Sequence, residues 1–428
     1  MERKIKVAIA GLGNRGKDAY APTAKIYKDQ MEIVAIADIV PEKVKAVAEE
    51  YNVPEAMCFK SAEEMLKQGK LADVMFICTQ DRQHVGHAIP ALRRGYDLLL
   101  EKPISPDLEE CREILRVAEE EGRKVVVCHV LRYTPFYTKL KEVIDSGTIG
   151  TVMAVQASEQ VGYYHQAHSF VRGNWCNSDE TSPMILQKCC HDMDILLWLT
   201  GKSCRAVSSF GKLSYFKPEC APEGSALRCM DGCKAKENCP YDAEKIYITN
   251  DKMGIEGGNT NWPVNVLTLN PTKESVRKAL EEGPYGRCVF HCGNNVVDHQ
   301  VVNLDLEDGG TISFIMSGFT SQNTREIRIM GTQGEIVANM HLNSIDVCQF
   351  GRSVEHIDIR DFATCLSGHG GGDVRIIKDF LDWIKEGGEP EGRITSLERS
   401  VESHYVALAA EQSRQHGGMC VLIDEMRR

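Results

Sequence analysis

Three sets of residues in this chain have the types and spacings that chemistry requires. Gly11-Leu12-Gly13-Asn14-Arg15-Gly16 has GxGxxG spacing: the first glycine makes a tight turn, the second lets a pyrophosphate approach the backbone, and the third packs helix on strand. Asp38 follows roughly 20 residues later, where a carboxylate accepts hydrogen bonds from an adenine ribose and repels a 2′-phosphate. Together they predict NAD rather than NADP, held by Gly11, Gly13, Asn14, Arg15, Gly16 and Asp38, with Arg15 and Lys43 as nearby cations that blunt the preference. Glu101-Lys102-Pro103 ends a later apolar run. Lys102 there points either into a ligand crevice, toward a nicotinamide ribose or a substrate hydroxyl, or into solvent as an ordinary strand-end lysine. An ammonium partly desolvated near other cations releases its proton more readily. Cys220, Cys229, Cys233 and Cys239, separated by eight, three and five residues, lie in a Gly- and Pro-rich stretch. They suit a structural zinc, an iron–sulfur cluster or free thiols, and Cys288 and Cys292 with His291 are a second source of ligands.

These residues need elements to hold them. From Lys4 to about Cys128 the runs KVAIAGLG, EIVAIAD, VMFICT, DLLLEKP and KVVVCH alternate with amphipathic stretches. That predicts five parallel strands buried on both faces, joined by crossover helices, the last capped by Asp107 and stopped at Gly122. After Tyr133 the rhythm changes to a helix, an alternating strand, a polar and aromatic loop over 162–181, and a helix from about Met184 to Leu199. Successive strands follow, joined by turns such as Asp308-Gly309-Gly310. The prediction is an α/β N-terminal Rossmann domain over 1–130 and an α+β C-terminal domain over 131–428. The second domain's open, largely antiparallel sheet offers one face to helices and the other to a partner subunit. Helices over 374–386 and 397–415 complete that domain, and 220–285 is an insertion without an apolar core of its own.

The composition excludes several classes. With 428 residues, 43% of them hydrophobic and 26% charged, the chain has room for two cores. Fifty Lys and Arg against 61 Asp and Glu leave a net charge of −11, which repels nucleic acid and anionic lipid. No apolar run reaches the roughly 18 to 20 residues of a membrane span, and a strand follows MERK directly, so neither a span nor a signal peptide is expected. Seventeen cysteines, an odd number, suit a reducing cytoplasm better than a disulfide framework.

GLGNRG, the Asp38 strand end, EKP and the later HDMD resemble the Gfo/Idh/MocA oxidoreductases, the glucose-fructose oxidoreductase and inositol dehydrogenase family. The likeness covers nearly the whole chain outside the Cys-rich insert. It implies a Rossmann domain, an open C-terminal sheet, a tightly held NAD(H) or NADP(H), and substrates that are sugars, cyclitols or their glycosides. It also implies a catalytic, cofactor-contacting role for Lys102, with Glu101 beside it on the cofactor side. In the family an acid stands four positions before the histidine of the HxxD helix; His191 and Asp194 match, but that position is Gln187. Lys188, three residues before His191 and on nearly the same helix face, either takes over as base or pairs with Asp192. His191 is either a base or a satisfied core histidine. The expected chemistry is hydride transfer from a carbinol to NAD+ while His191 or Lys188, assisted by Lys102, accepts the hydroxyl proton.

Tyr163, Tyr164, His165, His168, Arg172 and Trp175 offer flat surface and donors suited to a pyranose, Arg172 leaving room for an anionic sugar; the same set also suits a subunit contact. A mobile loop over Gly368–Asp373 brings His369 toward the cleft. Three functions follow: a sugar or cyclitol dehydrogenase, an NAD-dependent glycosidase or glycoside 3-oxidase working by transient oxidation, and a non-catalytic NAD(H) sensor. The expected assembly is a homodimer or homotetramer through the C-terminal sheet.

Overall fold

Short β-branched runs buried on both faces become β1 (Ile5–Ala10), β2 (Met31–Ala37), β3 (Cys58–Phe59), β4 (Val74–Ile77), β5 (Asp97–Leu100) and β6 (Val125–Val127) in the computed structural model. The structure describes residues 3–363, 367–388 and 392–428, with only the backbone of 367 and 368. The strands form one parallel sheet in the order β3-β2-β1-β4-β5-β6. Ile5, Val7 and Ile9 of β1 point to one core and Ala8 and Ala10 to the other. The two-residue β3 is too short to leave a periodic signal. Asp107 caps the helix Leu108–Glu120 by accepting from the Glu109 and Glu110 amides, as its position predicts.

A second sheet joins β7 (Val152–Gln160), β8 (Cys204–Lys212), β9 (His299–Leu306), β10 (Thr311–Ser317), β11 (Thr324–Gly331), β12 (Gly334–Asn339), β13 (Ser344–Gln349), β14 (Glu355–Asp358) and β15 (Val421–Leu422). Its order is β14-β13-β12-β11-β7-β10-β9-β8-β15, antiparallel except where β7 meets β10. One face is covered by helices α1 (Cys190–Thr200) and α3 (Leu397–Gln415), while Phe210, Ile315 and Val337 lie exposed on the other. Among the described residues no helix is long and apolar enough to cross a membrane.

Five expectations need correction. The segment from Met184 is not one helix: Met184–Gln187 and α1 are separate, broken at Lys188 and Cys189 without a Gly or Pro. The stretch expected as a polar loop is helical over Tyr163–His165 and Gln166–Arg172 and largely buried. The insertion has its own apolar core, including Phe216, Tyr247, Val264, Leu280 and Phe290. Helix α2 (Ser367–Glu386), expected in the second domain, packs Ile376, Ile377, Phe380 and Leu381 onto the parallel sheet, with Phe380 edge-on to Phe76 at 6.1 Å. The supposed mobile loop forms the first turns of α2, with positive φ at His369, Gly370 and Gly371.

Candidate active site

At the carboxyl end of β1 the three glycines have different surroundings. A Cβ on Gly11, whose φ is +91°, would overlap the Cys78 carbonyl oxygen, and one on Gly16 would overlap the Gly11 carbonyl oxygen. A Cβ on Gly13 would meet nothing within 4 Å, so its backbone faces open space. This suits a dinucleotide pyrophosphate approaching at Gly13, with the other two glycines required by packing. Asp38, at the end of β2, accepts from the Leu12 amide at 2.6 Å and the Val40 amide at 2.8 Å, which holds its carboxylate beside the same loop. Asn14 lies exposed at the rim.

Arg15 turns inward, so it is not a cation beside Asp38. Its Nε donates to Glu101 Oε1 at 2.7 Å and its Nη2 to Asp373 Oδ1 at 2.7 Å. Tyr20 and the Lys102 amide take the remaining Glu101 contacts at 2.5 and 3.1 Å. Glu101 is therefore a buried anchor rather than a ligand-facing group. Burial alone would raise its pKa, but Arg15 and Lys102 outweigh burial and hold it below the ordinary value. The geometry ties the glycine loop to the start of α2.

Lys102 leaves the end of β5 and donates to the Gln187 carbonyl oxygen at 2.7 Å, at the C-terminal end of the short helix before the break. The side chain at position 187 lacks a carboxylate, yet its backbone carbonyl accepts from Lys102. Lys188 does not pair with Asp192: its Nζ lies 3.2 Å from Glu159, while Asp192 binds Arg325 at 2.7 Å. Glu159 and Arg325 are cross-strand partners in the β7–β11 register, 2.7 Å apart through Nη2 and Oε2. Neither was singled out from sequence, though strand parity carries the signal, since 155, 157 and 159 share the buried face.

His191 sits 5.6 Å edge-on from the His129 ring and 6.5 Å from that of His369, and its Nδ1 is buried with no hydrogen-bond partner among the described residues. Burial, then Lys102 and His129, hold His191 well below the ordinary imidazole value. Burial, then Lys188, His168, His369 and Lys102, act likewise on His165. Lys102 and His369 thus act electrostatically on both rings, His369 lying 6.5 Å from His191, and Lys102, Lys188, His165, His191 and His369 make up one candidate site.

The remaining expected substrate contacts divide. His165 meets the Trp262 ring at 5.0 Å, and Trp175 donates through Nε1 to Asp81 at 3.3 Å across to the first domain. Tyr163 packs edge-on against Tyr164 and Tyr241. His168 and Arg172 do not face the cleft. His168 bonds Tyr247 and stacks on Tyr285 inside the insert, and Arg172 bonds the Arg287 and Tyr241 carbonyls. Trp262 was missed because its partners come from a segment distant in sequence.

Several buried rings give stability a pH dependence. Burial drives His168 and His404 down to about 3 and lowers His129 as it does His191. Unfolded histidines titrate near ~6.5, so below that the unfolded chain binds more protons and stability is lost as pH falls. From about pH 7 to 5, His168 and His404 are each expected to remove about 2 kcal/mol. Asp192, which burial raises to about 6, offsets part of this because its folded form gains a proton over the same range. Urea unfolding at both pH values checks this expectation; equal stabilities would contradict it.

A family model described as an oxidoreductase family NAD-binding Rossmann fold matches residues 5–129, and its companion, the oxidoreductase family C-terminal alpha/beta domain, matches residues 141–421. The oxidoreductase YteT of Bacillus subtilis (strain 168) is 24% identical over 400 residues, 88% of each chain. Inositol 2-dehydrogenase of Salmonella typhimurium (strain LT2) is 25% identical over 207 residues, 48% of this chain and 57% of that protein. A solved oxidoreductase from Agrobacterium radiobacter, in complex with NAD+, L-tartaric acid and magnesium, shares the fold with a TM-score of 0.69 at 17% identity, covering 99% of this chain and all of that one.

Proposed function

The chain belongs to the Gfo/Idh/MocA oxidoreductase family, and from that premise we propose that it is an NAD-dependent dehydrogenase acting on a hydroxyl of a sugar, cyclitol or glycoside. The observation that carries the reading is the uncommitted, buried Nδ1 of His191 in the cleft that Lys102 and His369 share. Bound NAD(H) supplies the hydride acceptor or donor. Gly11, Gly13, Asn14, Gly16 and Asp38 hold it, and Asp38 favours NAD because Arg15 is engaged elsewhere.

Lys102 positions the substrate hydroxyl, and His191, kept neutral by burial, takes its proton. Lys188 and Arg325, ion-paired to Glu159, present a fixed polar wall, and His165, Tyr163, Trp175 and Trp262 offer a flat one for the ring. The exposed sheet face bearing Phe210, Ile315 and Val337 joins subunits into a homodimer or homotetramer. An inositol 2-dehydrogenase among the relatives supports the cyclitol class.

The test is to incubate the protein, as purified, with NAD or NADP and a panel of sugars, inositols and p-nitrophenyl glycosides, following nicotinamide absorbance and released nitrophenol together. Stoichiometric NADH on at least one substrate, with NADP poorer, is expected. Nitrophenol without net NADH would replace the dehydrogenase by a redox-neutral glycosidase. Bound nicotinamide with no turnover on any of the panel would replace it by a sensor.

A further inference from the structure

The insert holds a second constellation that the redox site does not use. Cys229, Cys233, Cys239 and Cys288 line one small cavity together with Arg172 and Asp242. Cys220, grouped with the first three by spacing, lies outside it and donates to the Ser214 carbonyl oxygen.

The backbone explains the new grouping. Arg228 and Arg287 form an antiparallel bridge, with the Cys229 amide on the Gly286 carbonyl and the Cys288 amide on the Leu227 carbonyl, both at 2.9 Å. Residues flanking a bridged pair point to the opposite face from it, so Cys229 and Cys288 are diagonal neighbours on one face. The chain then folds back through Gly232, at φ +71°, and through turns closed by the Lys236 amide on the Cys233 carbonyl and the Cys239 amide on the Lys236 carbonyl. These turns return Cys233 and Cys239 to the same cavity.

Arg172 is an independent observation. It is 3% exposed, and its Nη1 is buried without a hydrogen-bond partner among the described residues. Its other nitrogens reach the Arg287 carbonyl at 2.7 Å, the Tyr241 carbonyl at 2.6 Å and Cys229 Sγ at 3.6 Å. Among the described residues it makes no ion pair with a carboxylate. A buried cation without a paired carboxylate is unfavourable, and besides Asp242 the groups in this cavity able to become anionic near it are the thiols.

We infer that Cys229, Cys233, Cys239 and Cys288 bind one zinc ion as a closed tetrathiolate site, with Arg172 as its neighbouring counter-charge. On binding, the four thiols release their protons to solvent and the divalent ion takes four thiolates, leaving a centre of net charge −2 beside the guanidinium. Among the described residues no three ligands already stand at coordinating separation, so binding also turns the side chains into the cavity. Four protein ligands leave no position for substrate, which makes the ion structural. Through Arg172 it braces the helical turn Gln166–Arg172, next to the cleft residue His165.

The full-length protein, expressed with added zinc and purified without chelator, should contain one zinc per chain by elemental analysis. Cys288→Ser should lose it and Cys220→Ser should keep it. Because Cys288→Ser can also fail to fold, the second measurement is on the unaltered chain. Titration with p-hydroxymercuribenzoate should release zinc in step with thiol modification, and cobalt(II) in its place should show thiolate-to-cobalt charge-transfer absorption. A metal-free protein, iron with acid-labile sulfide in place of zinc, or loss of zinc from Cys220→Ser with retention in Cys288→Ser would each overturn the site. The metal content reads the same whether or not any sugar is oxidised.

Discussion

Lys102→Met is expected to lower kcat/KM by about 10³-fold while leaving NAD(H) affinity within a fewfold, the range for loss of a positioned proton-handling group. Methionine keeps the length and apolar stem of the side chain, so β5 and its neighbours stay packed; what is lost is the ammonium that reaches the Gln187 carbonyl and faces His191. That loss has a second signature. Lys102 is the largest cause after burial that depresses His191, so without it the imidazole titrates closer to its ordinary value. Since the base must be neutral, the acid limb of the kcat/KM profile should move to higher pH. Steady-state kinetics across pH and NADH titration by fluorescence check both parts. Activity within about tenfold of the parent enzyme, with an unmoved acid limb, would falsify the assignment.

Asp194→Ala is expected to cost about 3–5 kcal/mol of stability, the range for breaking a buried ion pair by removing one partner. Arg132 donates to both Asp194 oxygens, at 2.7 and 2.6 Å, with side-chain exposures of 5% and 0%. Truncating the acid leaves the guanidinium buried without a counter-charge, whereas Arg132→Met with Asp194→Leu should recover much of the loss. The pair also joins the turn after β6 to α1, three residues beyond His191. Denaturant unfolding of the single and double variants measures the coupling, and a single-variant loss below about 1 kcal/mol would show that the pair does not hold this junction.

The difference between these two sites also shows what could be read from residue order. GxGxxG, Asp38 and the EKP turn are local: each needs one strand and the residues after it, so their places followed from short-range pattern. The Arg132–Asp194 pair joins residues far apart in the chain, and only the acid lay in a motif. Aromatic and basic residues suit a sugar wall, which points His168 and Arg172 toward the cleft; the same residues suit a buried staple, and composition does not separate the two. The break at Lys188 and Cys189 carries no Gly or Pro, so the helical period ran through it. Strand parity puts Glu159 on the buried face, a signal that the residue order carries but that names no role. The cysteines show the opposite limit: spacing grouped Cys220 with its sequence neighbours, whereas an antiparallel bridge from a distant segment brings in Cys288.

The docking of α2 onto the nucleotide sheet has a consequence for how the protein is made. The residues that seal the Phe76 face of that sheet, Ile376 to Leu381, leave the ribosome after every strand of the second sheet except β15. The six strands encoded first therefore wait, with the part of one apolar face around Phe76 that Ile376 to Leu381 cover left open, through most of the second domain's synthesis. The nucleotide half is begun first and closed late, so a nascent chain stopped before residue 376 should expose an apolar sheet face that the finished protein never shows.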